Sequence, residues 1–257
     1  MTAESLPAPG AASPYEASES SGTSDRIDDT SRESADPHCM SDEEADTLLR
    51  EAPWRRLAIV GDSLAEGLGD PVPGYRTVCW ADRVAEALRR SVPDLAYLNL
   101  GRRGLTATEV RAEQAEHAAA FAPDLLGVVC GGNDLLLPGF SPDVLAAELD
   151  DLFDALAARR TTLFVFALAN VVDAVPELRG GPLERGVHVL NEVTREVAAR
   201  HGAVVVRMYG HPASSDRDLF SADRLHASAR GHAVIAATTI RTLASRIPAA
   251  GLSTGGR

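Results

Sequence analysis

Five short apolar runs punctuate the chain from residue 56 onward: Leu57–Val60, Leu95–Leu100, Leu125–Cys130, Leu163–Leu168 and Ala203–Met208. Each has strand length, most are unbroken, and several are rich in Val, the pattern of strands buried on both faces of a parallel sheet. Amphipathic stretches separate them: Val78–Arg90, Thr106–Phe121, Pro142–Arg159, Leu183–His201 and a last one over about Ser228–Arg246. Ser141-Pro142 marks a helix start, with Ser as the cap and Pro in the first turn. Gly202 marks a helix end. The alternation predicts an α/β fold, a three-layer α/β/α sandwich of flavodoxin-like type around a five-stranded parallel sheet. No internal repeat is present.

Residues 1 to about 53 break this pattern. They are rich in Ser, Glu, Asp, Ala and Pro with few large apolar side chains, and such a segment buries too little surface to offset its ordering entropy. It reads as a disordered acidic tail, 1–53, with a short helix possible around Asp42–Arg50, followed by one folded domain over 54–250. The tail also carries most of the net charge of −12: residues 1–50 hold 12 acidic residues against 3 Arg, a balance of −9, and the remainder 25 against 22, a balance of −3. The near-neutral folded part offers no electrostatic footprint for nucleic acid. Lysine is absent, which excludes a Walker-type phosphate loop and Schiff-base chemistry. No run approaches the roughly 20 apolar residues of a membrane span. The start has neither a basic region nor an apolar core, so no secretory signal is read. Met40 is an alternative start. The three cysteines, Cys39, Cys79 and Cys130, are too scattered for a disulfide framework or metal cluster, and the expectation is a cytoplasmic protein with no cofactor.

In a doubly wound sheet, sites form at the carboxyl ends of the strands. After the first run stands Gly61-Asp62-Ser63, after the second Gly101-Arg102-Arg103-Gly104, and after the third Gly131-Gly132-Asn133-Asp134. Ser63 is a candidate nucleophile if a base and an oxyanion stabiliser accompany it, and otherwise an ordinary capping turn. Asn133 has an amide that can donate to an oxyanion, or it belongs to a common Gly-Asn-Asp turn. Gly104 offers a backbone N–H, or only a turn. Asp223-Arg224-Leu225-His226 places an acid three residues before an imidazole, where the carboxylate can orient the ring that takes a serine proton. The alternative is a surface pair at a helix entrance. Asp223, His226 and His232 match no defensible zinc spacing. His117, His188 and His201 fall on predicted helices and read as solvated, and His232 reads as packed. His211 is the rival general base, and Cys130 reads as a core thiol.

Taken together, Gly61-Asp62-Ser63-Leu64, Asn99-Leu100-Gly101-Arg102-Arg103-Gly104-Leu105-Thr106, Gly131-Gly132-Asn133-Asp134 and Asp223-x-x-His226 resemble the four blocks of the SGNH, or GDSL-like, hydrolases across about residues 56–246. The resemblance implies that Ser63 is the nucleophile, with Asp223 and His226 completing the triad. Ser63 N–H, Gly104 N–H and the Asn133 amide would form the oxyanion hole. It further implies a serine esterase acting through an acyl-enzyme on a small or lipid-like ester, with an acyltransferase on the same site or a non-catalytic flavodoxin-like binding module as alternatives. Ala227 stands where the family often has Pro. Arg102 and Arg103 stand in a usually small or apolar stretch, bringing positive charge toward the site. The loops Asp70–Thr77, Leu135–Ser141 and Asn170–Pro182 are expected to rim the pocket, with Leu135, Leu136, Leu137 and Phe140 as an apolar wall or core. The sequence sets neither the acyl chain nor the oligomeric state.

Overall fold

The structure, a computed structural model, describes residues 30–157 and 160–247. Along the chain lie α1 (Ser31–Ala35), α2 (Asp42–Leu49), β1 (Arg56–Gly61), α3 (Ser63–Glu66), α4 (Trp80–Ser91), β2 (Ala96–Asn99), α5 (Ala107–Phe121) and β3 (Leu125–Val129). Then follow α6 (Pro142–Leu156), β4 (Thr162–Ala167), α7 (Pro182–His201), β5 (Val204–Arg207) and α8 (Ala229–Ala244). The five strands form one parallel sheet in the order β2-β1-β3-β4-β5. The expected three-layer fold is therefore present, and each apolar run became a strand.

Alternation along the strands divides two cores. Leu57, Ile59, Leu125, Phe164 and Phe166 pack with α4 and α8 on one face. Ala58, Val60, Leu126, Val128 and Val165 pack with α5, α6 and α7 on the other. Trp80 anchors the first core, its ring edge-on to Phe164 and Phe166 at 6.2 and 4.9 Å. Local signals set the helix ends. Thr106 and Glu109 form a capping box at the start of α5, and Gly202 closes α7. At α6 the Ser141 side chain makes no capping bond, and Pro142 alone marks the first turn. The end of the predicted Pro142–Arg159 helix, residues 158–159, lies outside the described residues, as do residues 248–250 of the proposed domain.

The tail needs a correction. Residues 1–29 lie outside the described residues, but 30–53 are folded onto the domain. Cys39, Ala45, Leu49, Ala52 and Trp54 are buried in the first core, with α2 lying against α4 and α8. The short helix possible around Asp42–Arg50 is present as α2, and apolar residues at 45, 48 and 49 give it a single packing stripe. The acidic residues also find specific cations. Glu33 pairs with Arg83 at 2.6 Å, and Asp36 pairs with Arg230 at 2.7 Å, both in largely buried settings. Asp36 also accepts from the Tyr75 hydroxyl at 2.8 Å. Burial opposes its charge, yet these bonds hold its carboxyl down at about 2.

Leu49 is fully buried. Leu49→Ala is expected to destabilise the protein by about 2–5 kcal/mol in chemical denaturation, the range for an emptied core leucine. A solvated tail would tolerate the change without a measurable shift.

Candidate active site

The strand order reverses between β1 and β3. The chain moves from β1 outward to β2 and then returns to the opposite side of β1, which opens a crevice at the carboxyl ends of β1 and β3. Gly61 ends β1 with φ +144°, and a Cβ there would lie 1.9 Å from the Val129 carbonyl oxygen of β3. Only glycine fits. Asp62 N–H donates to that same carbonyl at 3.0 Å, so the turn is seated directly on β3. Gln114, buried on α5, brackets Gly61 by accepting from its N–H at 2.7 Å and donating to its carbonyl at 2.9 Å. Asp62 caps α3 by accepting from Leu64 N–H at 3.1 Å. Ser63 then stands at the first position of α3.

The last loop supplies the imidazole. His226 Nε2 lies 2.9 Å from Ser63 Oγ, across 163 residues of sequence, and His226 Nδ1 lies 2.6 Å from Asp223 Oδ2. Asp223 Oδ1 accepts from the backbone N–H of Leu225 and His226 at 2.9 and 3.0 Å. Arg224, between them, has φ +59°, which curls the loop so that acid and imidazole meet. Partial burial works against the Asp223 charge, but the bonds from His226 and the two N–H groups win and hold its carboxyl near 2. Bonded in this way, the carboxylate fixes a ring with Nδ1–H toward the acid and Nε2 toward the hydroxyl. A hydroxyl so placed can pass its proton to the imidazole.

Ser63, Asn133 and His226 line one cavity of about 180 Å³. Asn133 Nδ2 donates to Leu105 O at 2.9 Å, which fixes the amide and leaves its second N–H free to donate. Gly104 is exposed on the neighbouring loop with φ +83° and is not among the cavity-lining residues. Its loop is tied to α3 nonetheless, because Glu66 accepts from Arg103 N–H at 2.7 Å and from its guanidinium at 2.6 Å. Arg102 pairs with Glu113. The charge expected from Arg102 and Arg103 is thus offset by carboxylates.

The other expectations sort cleanly. His211 spends Nδ1 accepting from Ala213 N–H at 3.1 Å and does not line the cavity. His232 is packed: Nδ1 accepts from Trp80 N–H, Nε2 faces Leu68 O, and burial lowers its pKa to about 4. Burial pushes the Cys130 thiol well above its ordinary range. His201 is not solvated, since its ring sits 2.9 Å from Asp150 and edge-on to Phe153. His188 stacks edge-on against Tyr209. No group of three or more His, Cys, Asp or Glu among the described residues has the geometry to hold a metal.

Of the three rim loops, Leu135–Ser141 contributes Leu135 and Leu136 but not Leu137 or Phe140, and Asn170–Pro182 contributes Val171. Asp70–Thr77 contributes nothing. It faces α1 and the last loop instead: Gly74 O accepts from Glu33 N–H, and Asp70 takes Ala222 N–H at 2.8 Å on its carboxylate and Ala229 N–H at 2.8 Å on its carbonyl. Asp70 therefore clasps the His226 loop on both sides. Sequence reading missed Asp70, Glu66 and Gln114. Only Gln114 left a signal, as an amide on the core-facing stripe of an alanine-rich helix.

The GDSL-like lipase/acylhydrolase family matches residues 59–234. The chain belongs to that family. Its members hydrolyse carboxylic esters, and this chain is accordingly an ester hydrolase. Similar solved structures share the fold at low identity. LAE5, an alpha/beta hydrolase from the metagenome of Lake Arreo, Spain, is 21% identical with a TM-score of 0.61, over 76% of this chain and 97% of that one. Axe2, an acetylxylan esterase from Geobacillus stearothermophilus, is 20% identical with a TM-score of 0.60, over 74% and 94%. A lipase/acylhydrolase from Enterococcus faecalis is 20% identical with a TM-score of 0.57, over 76% and 97%. No curated protein sequence matches the chain. Among the described residues no helix is long and apolar enough to cross a membrane.

Asp62 is buried beneath the site, and burial raises its carboxyl from 3.8 to about 6 despite the Leu64 N–H bond. A raised carboxyl leaves stability intact below the unfolded value and removes it as pH rises through about 6. Asp62→Asn keeps the cap and removes the charge. Thermal and denaturant unfolding across pH should show the variant equal to the parent below about pH 4 and more stable above pH 7 by roughly 1–3 kcal/mol.

Proposed function

We propose that the chain hydrolyses esters through an acyl-enzyme on Ser63, with His226 as base and Asp223 as its partner. The observation that carries this reading is the continuous run Asp223–His226–Ser63, at 2.6 and 2.9 Å, opening onto a largely apolar cavity. Ser63 Oγ attacks the ester carbonyl carbon while its proton passes to His226 Nε2. Asp223 stabilises the imidazolium that results. The carbonyl oxygen becomes an oxyanion, received by Ser63 N–H, Gly104 N–H and the free amide hydrogen of Asn133. When the tetrahedral adduct collapses, the ester C–O bond breaks and the leaving alcohol takes the proton from His226. Water, deprotonated by His226, then attacks the acyl-serine, releasing the carboxylic acid and restoring the hydroxyl. Asp223 is held down to about 2, so its negative charge faces the imidazolium well below neutral pH.

The substrate is a small or lipid-like ester. A cytoplasmic setting is part of the same proposal, supported by three free cysteines, Cys39, Cys79 and Cys130.

Ser63→Ala should abolish both turnover of a short p-nitrophenyl ester and labelling by a fluorophosphonate, while circular dichroism and melting temperature stay close to the parent. Hydrolysis that survives in this variant would overturn the assignment. Asn133→Ala should retain labelling at a reduced rate and lower kcat by about 10²–10³, the usual cost of one oxyanion donor; an unchanged kcat would remove Asn133 from the oxyanion site.

A further inference from the structure

The cavity beside Ser63 has a division of chemistry along its walls. Apart from Thr194 on α7, its polar side chains sit on the three loops that follow β1, β3 and β5, where Ser63, Asn133 and His226 stand. Beyond that mouth the walls are aliphatic and aromatic. They reach Phe153 of α6 and Leu190 of α7, which are 1% and 2% exposed, and on the other face of the sheet Phe166 and Ile235 of α8, so the lining draws on both cores. A hydroxylated group placed there would meet few partners and would lose its hydrogen bonds to water, an unfavourable exchange.

Size narrows the occupant further. An apolar cavity of about 150 Å³ accepts a six-carbon ring, whereas sites enclosing a whole drug-sized ligand run to roughly 300–1,000 Å³. A volume of about 180 Å³ therefore holds one aliphatic chain and not a complete ester. An acetyl group would leave most of it unfilled. The alcohol part must remain at the open mouth, flanked by Leu136 and Leu225, which are 72% and 58% exposed.

Resting on the acyl-enzyme reading above, we infer that the acid half of the substrate is a medium aliphatic acyl chain, about six to eight carbons long, seated in this cavity. Val187 of α7 lines its side and sets the room available to the chain.

The test is kcat/KM for p-nitrophenyl esters from acetate to laurate, with inactivation rates by alkyl fluorophosphonates of matching lengths as a second readout. Both should climb about fourfold per methylene, roughly 250-fold from two to six carbons, and level or fall beyond about eight. Val187→Phe, which fills the cavity, should reduce the hexanoate-to-acetate ratio at least tenfold. If that variant fails to fold, the parent series decides alone. A flat series, a maximum at acetate, or a ratio indifferent to Val187→Phe overturns the inference while leaving Ser63-dependent hydrolysis standing. Turnover that survives Ser63→Ala, or no turnover of any ester, overturns the acyl-enzyme reading with it.

Discussion

A single carbonyl, that of Val129, sets the position of the site. It receives the Asp62 N–H from the adjacent strand, and it lies where a Cβ on Gly61 would have to be. The chain can leave β1 in this direction only because residue 61 has no side chain. The turn then delivers Ser63 to the first position of α3. Neighbouring groups hold the same point from other sides: Gln114 on both polar atoms of Gly61, and Asn99, which donates to Ala65 O and accepts from Gly101 N–H. Gly101 in turn must be small, because a Cβ there would lie 2.3 Å from Glu66 N. The hydroxyl is thus placed by backbone packing at the sheet edge, which is stiffer than placement by a surface loop.

The imidazole is held differently. His226 belongs to a loop with a single isolated bridge, Phe220 to Ala227, and is steadied by Asp70 from outside. Behind it Arg230 joins Asp216, Asp218 and Asp36, so the approach to the loop, the first turn of α8 and the N-terminal segment share one charge network around a buried guanidinium. Burying a guanidinium among carboxylates is costly unless every partner is present, and here several are. The segment around Asp36 therefore supports the loop that carries His226.

What the sequence reveals follows from how far each signal extends. Strands buried on both faces write themselves as continuous apolar runs, so all five were legible, as were five of the helices. Ser63, Asn133, Asp223 and His226 were legible because they fall directly after strands or before a helix, in blocks with family precedent. Apart from the short helix at Asp42–Arg50, residues 30–53 were misread because their buried anchors are few and widely spaced: Cys39, Ala45, Leu49 and Ala52, among acids that composition counts as solvated. The acids have cations waiting 50 and 194 residues away, at Arg83 and Arg230. The placing of Asp70–Thr77 failed for a related reason, since strand-end position says that a loop lies near an edge and not which neighbour it faces.

The separation between Ser63 and His226 has a consequence for how the molecule comes into being. Their 163-residue interval means that the hydroxyl and the imidazole are joined by one of the longest loop closures in the fold. Contacts of that span form late, after local helices and neighbouring strands have paid most of the entropy of ordering. A nascent or partly folded chain can display the serine turn on β1 and β3 while the imidazole is still unplaced. On the proposed triad, ester-cleaving competence then arrives only with the docking of the last loop and α8, so that activity reports completion of the fold and not merely the presence of its sheet.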